Sequence, residues 1–158
     1  MTHRRMTAAS RVAFVVIALA SAGALAQEAS MITPHDIKWM DAPPVLPKGA
    51  KMAVLMGDPS KPGPYVIRLK APPGYKIAPH WHSLPEELTV ISGTFYLGVG
   101  DEAKTKGAHA LGAGSFHYLP AQQHHYAFTR GNAVLQINAT GPFDINYLNA
   151  ADDPQKKM

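Results

Sequence analysis

Cysteine is absent from the 158 residues, which excludes disulfide staples and every cysteine-ligated zinc or iron–sulfur site. A chain without crosslinks must be held by its core, by association or by a bound ion. Charged side chains are sparse, at 16% of the sequence, and after Ala26 there is almost no apolar pattern of helical period, which excludes a helical bundle. No serine sits in a nucleophile-elbow pattern, and no second carboxylate is set up for glycoside hydrolysis. Repeats of solenoid length are also lacking.

The formal charge of +4 comes mostly from one end. Three of the 15 Lys and Arg, namely Arg4, Arg5 and Arg11, precede the apolar run Val12 to Ala26, which closes on Ala24-Leu25-Ala26 before Gln27. Charged, apolar and small residues in that order predict a secretory signal cleaved near Ala26, hence export, in a bacterium to the periplasm. The run is shorter than the roughly 20 residues that span a bilayer, so no stable membrane insertion is expected after cleavage. Its removal leaves 12 basic against 11 acidic residues, a net charge near +1, which gives no nucleic-acid surface.

Beyond this segment the chain reads as short strands punctuated by Gly and Pro. Met52 to Met56 and Pro64 to Lys70 are strand candidates, the second placing Tyr65, Ile67 and Leu69 on one face. Glu87 to Ile91 and Thr94 to Val99 read as a hairpin turning at Ser92-Gly93, and Glu102 to Ala110 as a polar connection. Ser115 to Leu119, His124 to Thr129, Ala133 to Ala139 and Phe143 to Leu148 supply the rest. Together these predict an all-β fold, an antiparallel sandwich or barrel. Residues 27–158 form its single domain, with an N-terminal arm, a core over about 50–149 and a frayed tail, 150–158. The aromatics Tyr65, Phe95, Phe116, Tyr118, Tyr126 and Phe128 are read as core.

The chemistry concentrates between Gly74 and Gly93. In a strand, His80 and His82 share a face while Trp81 points away, and Glu86 and Glu87 come shortly after. Two imidazoles and a carboxylate suit a divalent transition metal, with a further donor offered by the pair His124 and His125. His117 could line the cavity or sit in the core. Gln136 and Asn138 share a strand face and are the polar exceptions of their strand, fitted to orient a ligand or line a polar cavity.

These segments resemble the cupin superfamily. Its first motif places glycine, two histidines, glutamate and glycine at intervals that Gly74, His80, His82, Glu86 and Gly93 all satisfy. Its second motif is met by Gly114, Pro120 and His125, while Gln122 stands where glycine is expected and Thr129 where asparagine is expected. The resemblance is to small exported single-domain cupins and implies a small double-stranded β-helix, or jelly-roll barrel. The implied ligand set is His80, His82, Glu86 and His125, around one divalent ion per chain: Fe, Mn, Ni or Zn. Alternation also prefers Glu86 to Glu87, because Glu86, Leu88 and Val90 then share the inward face. With His125 inward, His124 points outward unless a bulge intervenes, leaving it a rim or supporting residue.

An octahedral ion with four protein ligands keeps two positions for water, oxygen or a chelating substrate, whereas tetrahedral zinc keeps none. Two functions are compatible with such a site. One is a metal-dependent enzyme, by resemblance an oxygenase acting on a small organic molecule, with Glu86 as the candidate base and isomerase or lyase chemistry still open. The other is a noncatalytic metal-binding or small-ligand-binding module. The resemblance also implies a homodimer, for which Met52 to Met56 and Pro64 to Leu69 would provide an edge.

Overall fold

The structure is a computed structural model that describes residues 29–157. The predicted signal segment and its cleavage site lie outside the described residues. Strands β1 (Met40–Asp41), β2 (Lys51–Met56), β3 (Gly63–Ala71), β4 (Lys76–Trp81), β5 (Glu86–Ser92) and β6 (Thr94–Val99) are followed by β7 (His109–Gly112), β8 (Phe116–Leu119), β9 (His125–Thr129), β10 (Ala133–Gly141) and β11 (Asn146–Tyr147). Two 3-10 turns, Ala150–Asp152 and Pro154–Lys157, close the chain, the first capped by the Asn149 side chain. The tail expected to fray therefore has local structure. Among the described residues no helix is long and apolar enough to cross a membrane.

The strands form two antiparallel sheets, one ordered β1-β2-β3-β10-β5-β8 and the other β11-β4-β9-β6-β7. Period-two alternation decides what faces the space between them. Tyr65, Ile67 and Leu69 of β3, Leu135 and Ile137 of β10, and Leu88 and Val90 of β5 are buried from the first sheet. Ile77, Phe95, Leu97 and Ala127 are buried from the second. This is the expected all-β jelly roll, with the core between its sheets.

Four expectations need correction. Strands β5 and β6 are not a hairpin: β5 pairs with β10 and β8, while β6 pairs with β7 and β9. The chain crosses between sheets at Gly93, whose φ is +76° and where an added Cβ would collide with the Asn132 carbonyl. Only glycine meets both conditions easily. Second, the polar connection ends in a strand, β7, because its residues pair along β6 despite having no apolar alternation of their own.

The third correction concerns Gln136 and Asn138. The inward positions of β10 belong to Leu135 and Ile137, so these amides lie on the outer face, away from the chamber between the sheets. There Arg68 Nε donates to Gln136 Oε1 at 3.2 Å and Gln136 Nε2 donates to Asn138 Oδ1 at 3.4 Å, so outer-face partners satisfy the amides. The same parity places Phe116 (60% exposed) and Tyr118 (51% exposed) outside, because His117 and Leu119 pair with Leu88 and Glu86 on the inner side of β8. Fourth, β3 is no edge: β2 and β10 occupy both of its sides, while β2 is flanked beyond β3 only by the two-residue β1.

Candidate metal centre

His80 and His125 face each other across β4 and β9, and their alignment depends on a bulge. Ile77 pairs with Ala127 and His80 with His125, so three steps along β4 match two along β9. The extra residue lies in the Ala78-Pro79 segment, where proline lacks the N–H that a regular ladder uses. Without it, strict alternation from Ile77 would turn His80 outward; the bulge shifts the inward parity to His80. Both histidines are 3% exposed. His82 lies just beyond the end of β4 and Glu86 at the start of β5.

One ring nitrogen from each of His80, His82 and His125 lies within 4.8 Å of the other two. Each ring has its Nδ1 committed to a backbone carbonyl: His80 to Ala78 at 2.7 Å, His82 to Asp144 at 2.5 Å and His125 to Gln123 at 2.8 Å. A carbonyl only accepts, so each Nδ1 carries the hydrogen and each neutral ring keeps its lone pair on Nε2. Three rings are thus fixed in one tautomer, as metal-binding imidazoles usually are.

Glu86 is buried (8% exposed) and Glu87 is exposed. The Glu86 carboxylate contacts His82 Nε2 at 3.3 Å. Burial opposes ionisation of Glu86, but His82 outweighs it and holds the carboxyl below its ordinary value. Burial also opposes the charge on His82, but Glu86 and Asp144 outweigh it and raise that imidazole. Burial, reinforced by neighbouring imidazoles, lowers His80 strongly and His125 to a lesser degree. Burial thus favours the neutral forms of His80 and His125, while the Glu86 contact favours the charged form of His82.

Asp144, which the sequence reading missed, supports His82 from behind. Its carboxylate accepts from the Ser83 backbone N–H at 3.0 Å, from the Ser83 hydroxyl and from Asn146 Nδ2 at 2.9 Å. A carboxylate shortly after a Gly-Pro turn was the only signal, and nothing local links it to a histidine 62 residues earlier. His124 is partly exposed, its Nδ1 2.7 Å from Asp101 Oδ1. His117 is half-buried on the inner side of β8, where its charge would favour the Glu86 carboxylate.

The departures in the second motif are structural. Gln122 has φ +62°, which explains the glycine preference there, and its N–H donates to the His82 carbonyl at 2.8 Å. Thr129 is buried; its hydroxyl donates to the Pro72 carbonyl at 2.6 Å and accepts from the Tyr75 N–H at 3.1 Å. The Thr129 backbone pairs with Tyr75 and its carbonyl accepts from Gly74. These bonds tie the end of the second motif to the turn that opens the first.

The histidines and Glu86 border a chamber of about 40 Å³, otherwise lined by aliphatic and phenyl side chains including Ile67, Leu97, Leu135, Phe143 and Ile145. A larger groove, about 930 Å³, lies at the Tyr126 and Phe128 side of β9, beside the β6–β7 loop and the C-terminal turns, and includes none of these four groups. Volume and chemistry disagree here, and the convergence of donors marks the smaller space.

Residues 27–144 match the ChrR cupin-like domain family. The chain belongs to this family of cupins. Similar solved structures have the same fold at low identity. The polyketide cyclase RemF from Streptomyces resistomycificus aligns at TM-score 0.68 and 17% identity, covering 83% of this chain and 94% of its own. A putative acetylacetone dioxygenase from Methylibium petroleiphilum PM1 aligns at TM-score 0.62 and 18% identity, covering 81% and 86% respectively. An RmlC-like cupin from Shewanella frigidimarina NCIMB 400 gives 0.56 and 16%, covering 72% and 92%. No curated protein matches the chain at the sequence level.

The cupin's donor set fits a divalent ion. Ring nitrogens of the three histidines converge beside a carboxylate, and each imidazole has its Nδ1 engaged by a backbone carbonyl rather than turned toward the centre. Nitrogen ligands lie about 2.0–2.1 Å from such an ion, so neighbouring donors on one octahedral ion stand about 3 Å apart. A spread of up to 4.8 Å requires only small ring movements to reach that spacing.

Proposed function

We propose that this cupin holds one divalent transition metal and acts on a small organic molecule as an oxygenase. The observation that carries the reading is the convergence of two buried imidazoles and a part-buried one, each with its Nδ1 on a backbone carbonyl, beside an apolar chamber. His80, His82 and His125 would hold the ion, with Glu86 as fourth ligand. Bound Fe, Mn or Ni would supply Lewis acidity and redox chemistry that side chains lack.

The protein's own groups divide the remaining work. Hydrophobic walls exclude water and strengthen charge interactions within the chamber. Glu86 can receive a proton at a carboxylate oxygen from an acidic C–H or O–H of a ligand. Asp144 and the bulge at Ala78-Pro79 fix two of the rings. The Methylibium neighbour, a putative dioxygenase, supports an oxygenase, while the shared feature is the fold.

Elemental analysis and X-ray absorption after anaerobic purification test the site, and oxygen uptake by Fe(II)-loaded protein tests the reaction. Stoichiometric Fe, Mn or Ni with open positions is expected; tetrahedral zinc held by all four groups would remove the oxygenase. The small chamber volume favours a second reading, a noncatalytic small-ligand module. Metal binding without oxygen consumption on any candidate substrate would select it.

Export and dimerisation are part of the same proposal. The family match starts at residue 27, next to the predicted cut, and N-terminal sequencing of mature protein should begin at Gln27. Exposed Ile91, Phe116 and Tyr118 on β5 and the edge strand β8 support self-association. Light scattering at micromolar concentration should give twice the chain mass.

A further inference from the structure

A second, smaller hollow lies against the metal centre. About 10 Å³ in volume, it is lined by Tyr65, Leu84, Pro85, Thr140, Pro142 and Asp144, and it shares His82, Glu86 and Phe143 with the chamber. Phe143 is therefore the one hydrocarbon side chain common to both spaces. Its ring centroid is 5.9 Å from that of His82, and the ring also packs against the core.

The backbone carrying this ring is pinned on both sides. The Phe143 N–H donates to the Pro59 carbonyl at 2.6 Å, and the next residue, Asp144, is tied to His82, Ser83 and Asn146. Between hollow and chamber thus stand His82, Glu86 and one hydrocarbon side chain, that of Phe143, on a backbone held by hydrogen bonds. Among the described residues the chamber is lined by no Arg, Lys, Ser, Thr, Asn or Gln, so its polar contacts for a ligand come from the histidine and Glu86 end. Burying a charged or hydroxyl-rich body there would leave its polar groups without partners.

We propose that Phe143 is a specificity-determining partition that admits short aliphatic oxygen chelators to the metal centre and rejects those carrying a ring. The assignment rests on the metal-centre reading. Chelators of matched donor chemistry and different bulk separate the two. Cobalt(II)-loaded protein can be titrated with acetohydroxamate and with benzohydroxamate, following the visible bands of the ion. Wild type should bind acetohydroxamate at least about ten-fold more tightly, within the range that pocket fit supplies. Phe143→Ala should tighten benzohydroxamate until the two differ by no more than about three-fold, and Phe143→Leu should fall between. Leu keeps the contact with the core, so its graded ratio decides the matter if the alanine variant does not fold. An unchanged ratio in folded variants overturns the partition while leaving the metal centre intact. Failure of wild type to take up stoichiometric cobalt overturns the metal-centre reading and the partition with it.

Discussion

The two cupin motifs contribute unequally. The first, Gly74 to Gly93, supplies His80, His82 and Glu86, and all its spaced positions match the superfamily pattern. The second, Gly114 to Thr129, supplies His125 and otherwise braces the site: Gln122 holds the His82 carbonyl and Thr129 holds the turn before Tyr75. A motif position can therefore be chemical or mechanical. Mechanical positions tolerate a different residue when it makes equivalent bonds, as Thr129 does with its hydroxyl.

The sharpest way to break this contrast is to remove one imidazole from each motif. His80→Ala and His125→Ala should each lower metal affinity by about two orders of magnitude or more, measured by competition with a chelating dye. Glu86→Gln should cost about ten-fold in the same titration and Glu87→Gln almost nothing, since only Glu86 is buried beside His82. Retained affinity in Glu86→Gln with loss in Glu87→Gln would transfer the role to the outer carboxylate.

A purely mechanical position should show the opposite profile. Thr129→Val leaves the Pro72 carbonyl and the Tyr75 N–H with only their mutual 3.3 Å bond and should cost about 1–2 kcal/mol of stability, read by denaturant unfolding. Metal stoichiometry of the folded fraction should not change. Gln122→Gly should produce the smallest effect, a stabilisation of at most about 1 kcal/mol, as relief of the left-handed conformation is partly offset by a freer unfolded chain. A large loss in Gln122→Gly would show that its side chain does more than occupy the turn.

Acid should also separate the members of the site. His80 and His125 titrate below their ordinary value of 6.5, so between that value and their folded values the unfolded chain binds more protons. Their contribution to metal-free stability is therefore lost as pH falls below about 6.5. His82 is raised, so its ion pair with Glu86 stabilises below 6.5 and fades as pH rises through the folded value. Chemical denaturation of metal-free protein from pH 7.5 to 5 should show a net loss toward acid, and His82→Gln should steepen it. For metal uptake, His82 should be the first imidazole to compete for protons as pH drops, because it alone is raised.

The all-β class, the alternation of β3 and the inward parity of Glu86, Leu88 and Val90 were legible in the sequence, because period-two burial is local. His80, His82, Glu86 and His125 could be singled out by their residue chemistry and motif spacing. Tertiary structure decided the rest. It sent β5 and β6 to different sheets, since strand partners depend on long-range pairing. It turned Gln136 and Asn138 outward, because Leu135 and Ile137 held the core parity of β10. It also used a bulge to aim His80 and brought Asp144 behind His82 and Phe143 between two hollows. Sequence alone thus named the candidate donor residues through residue chemistry and motif spacing; only chain crossing and packing decided which backbone carbonyls engage their Nδ1 atoms.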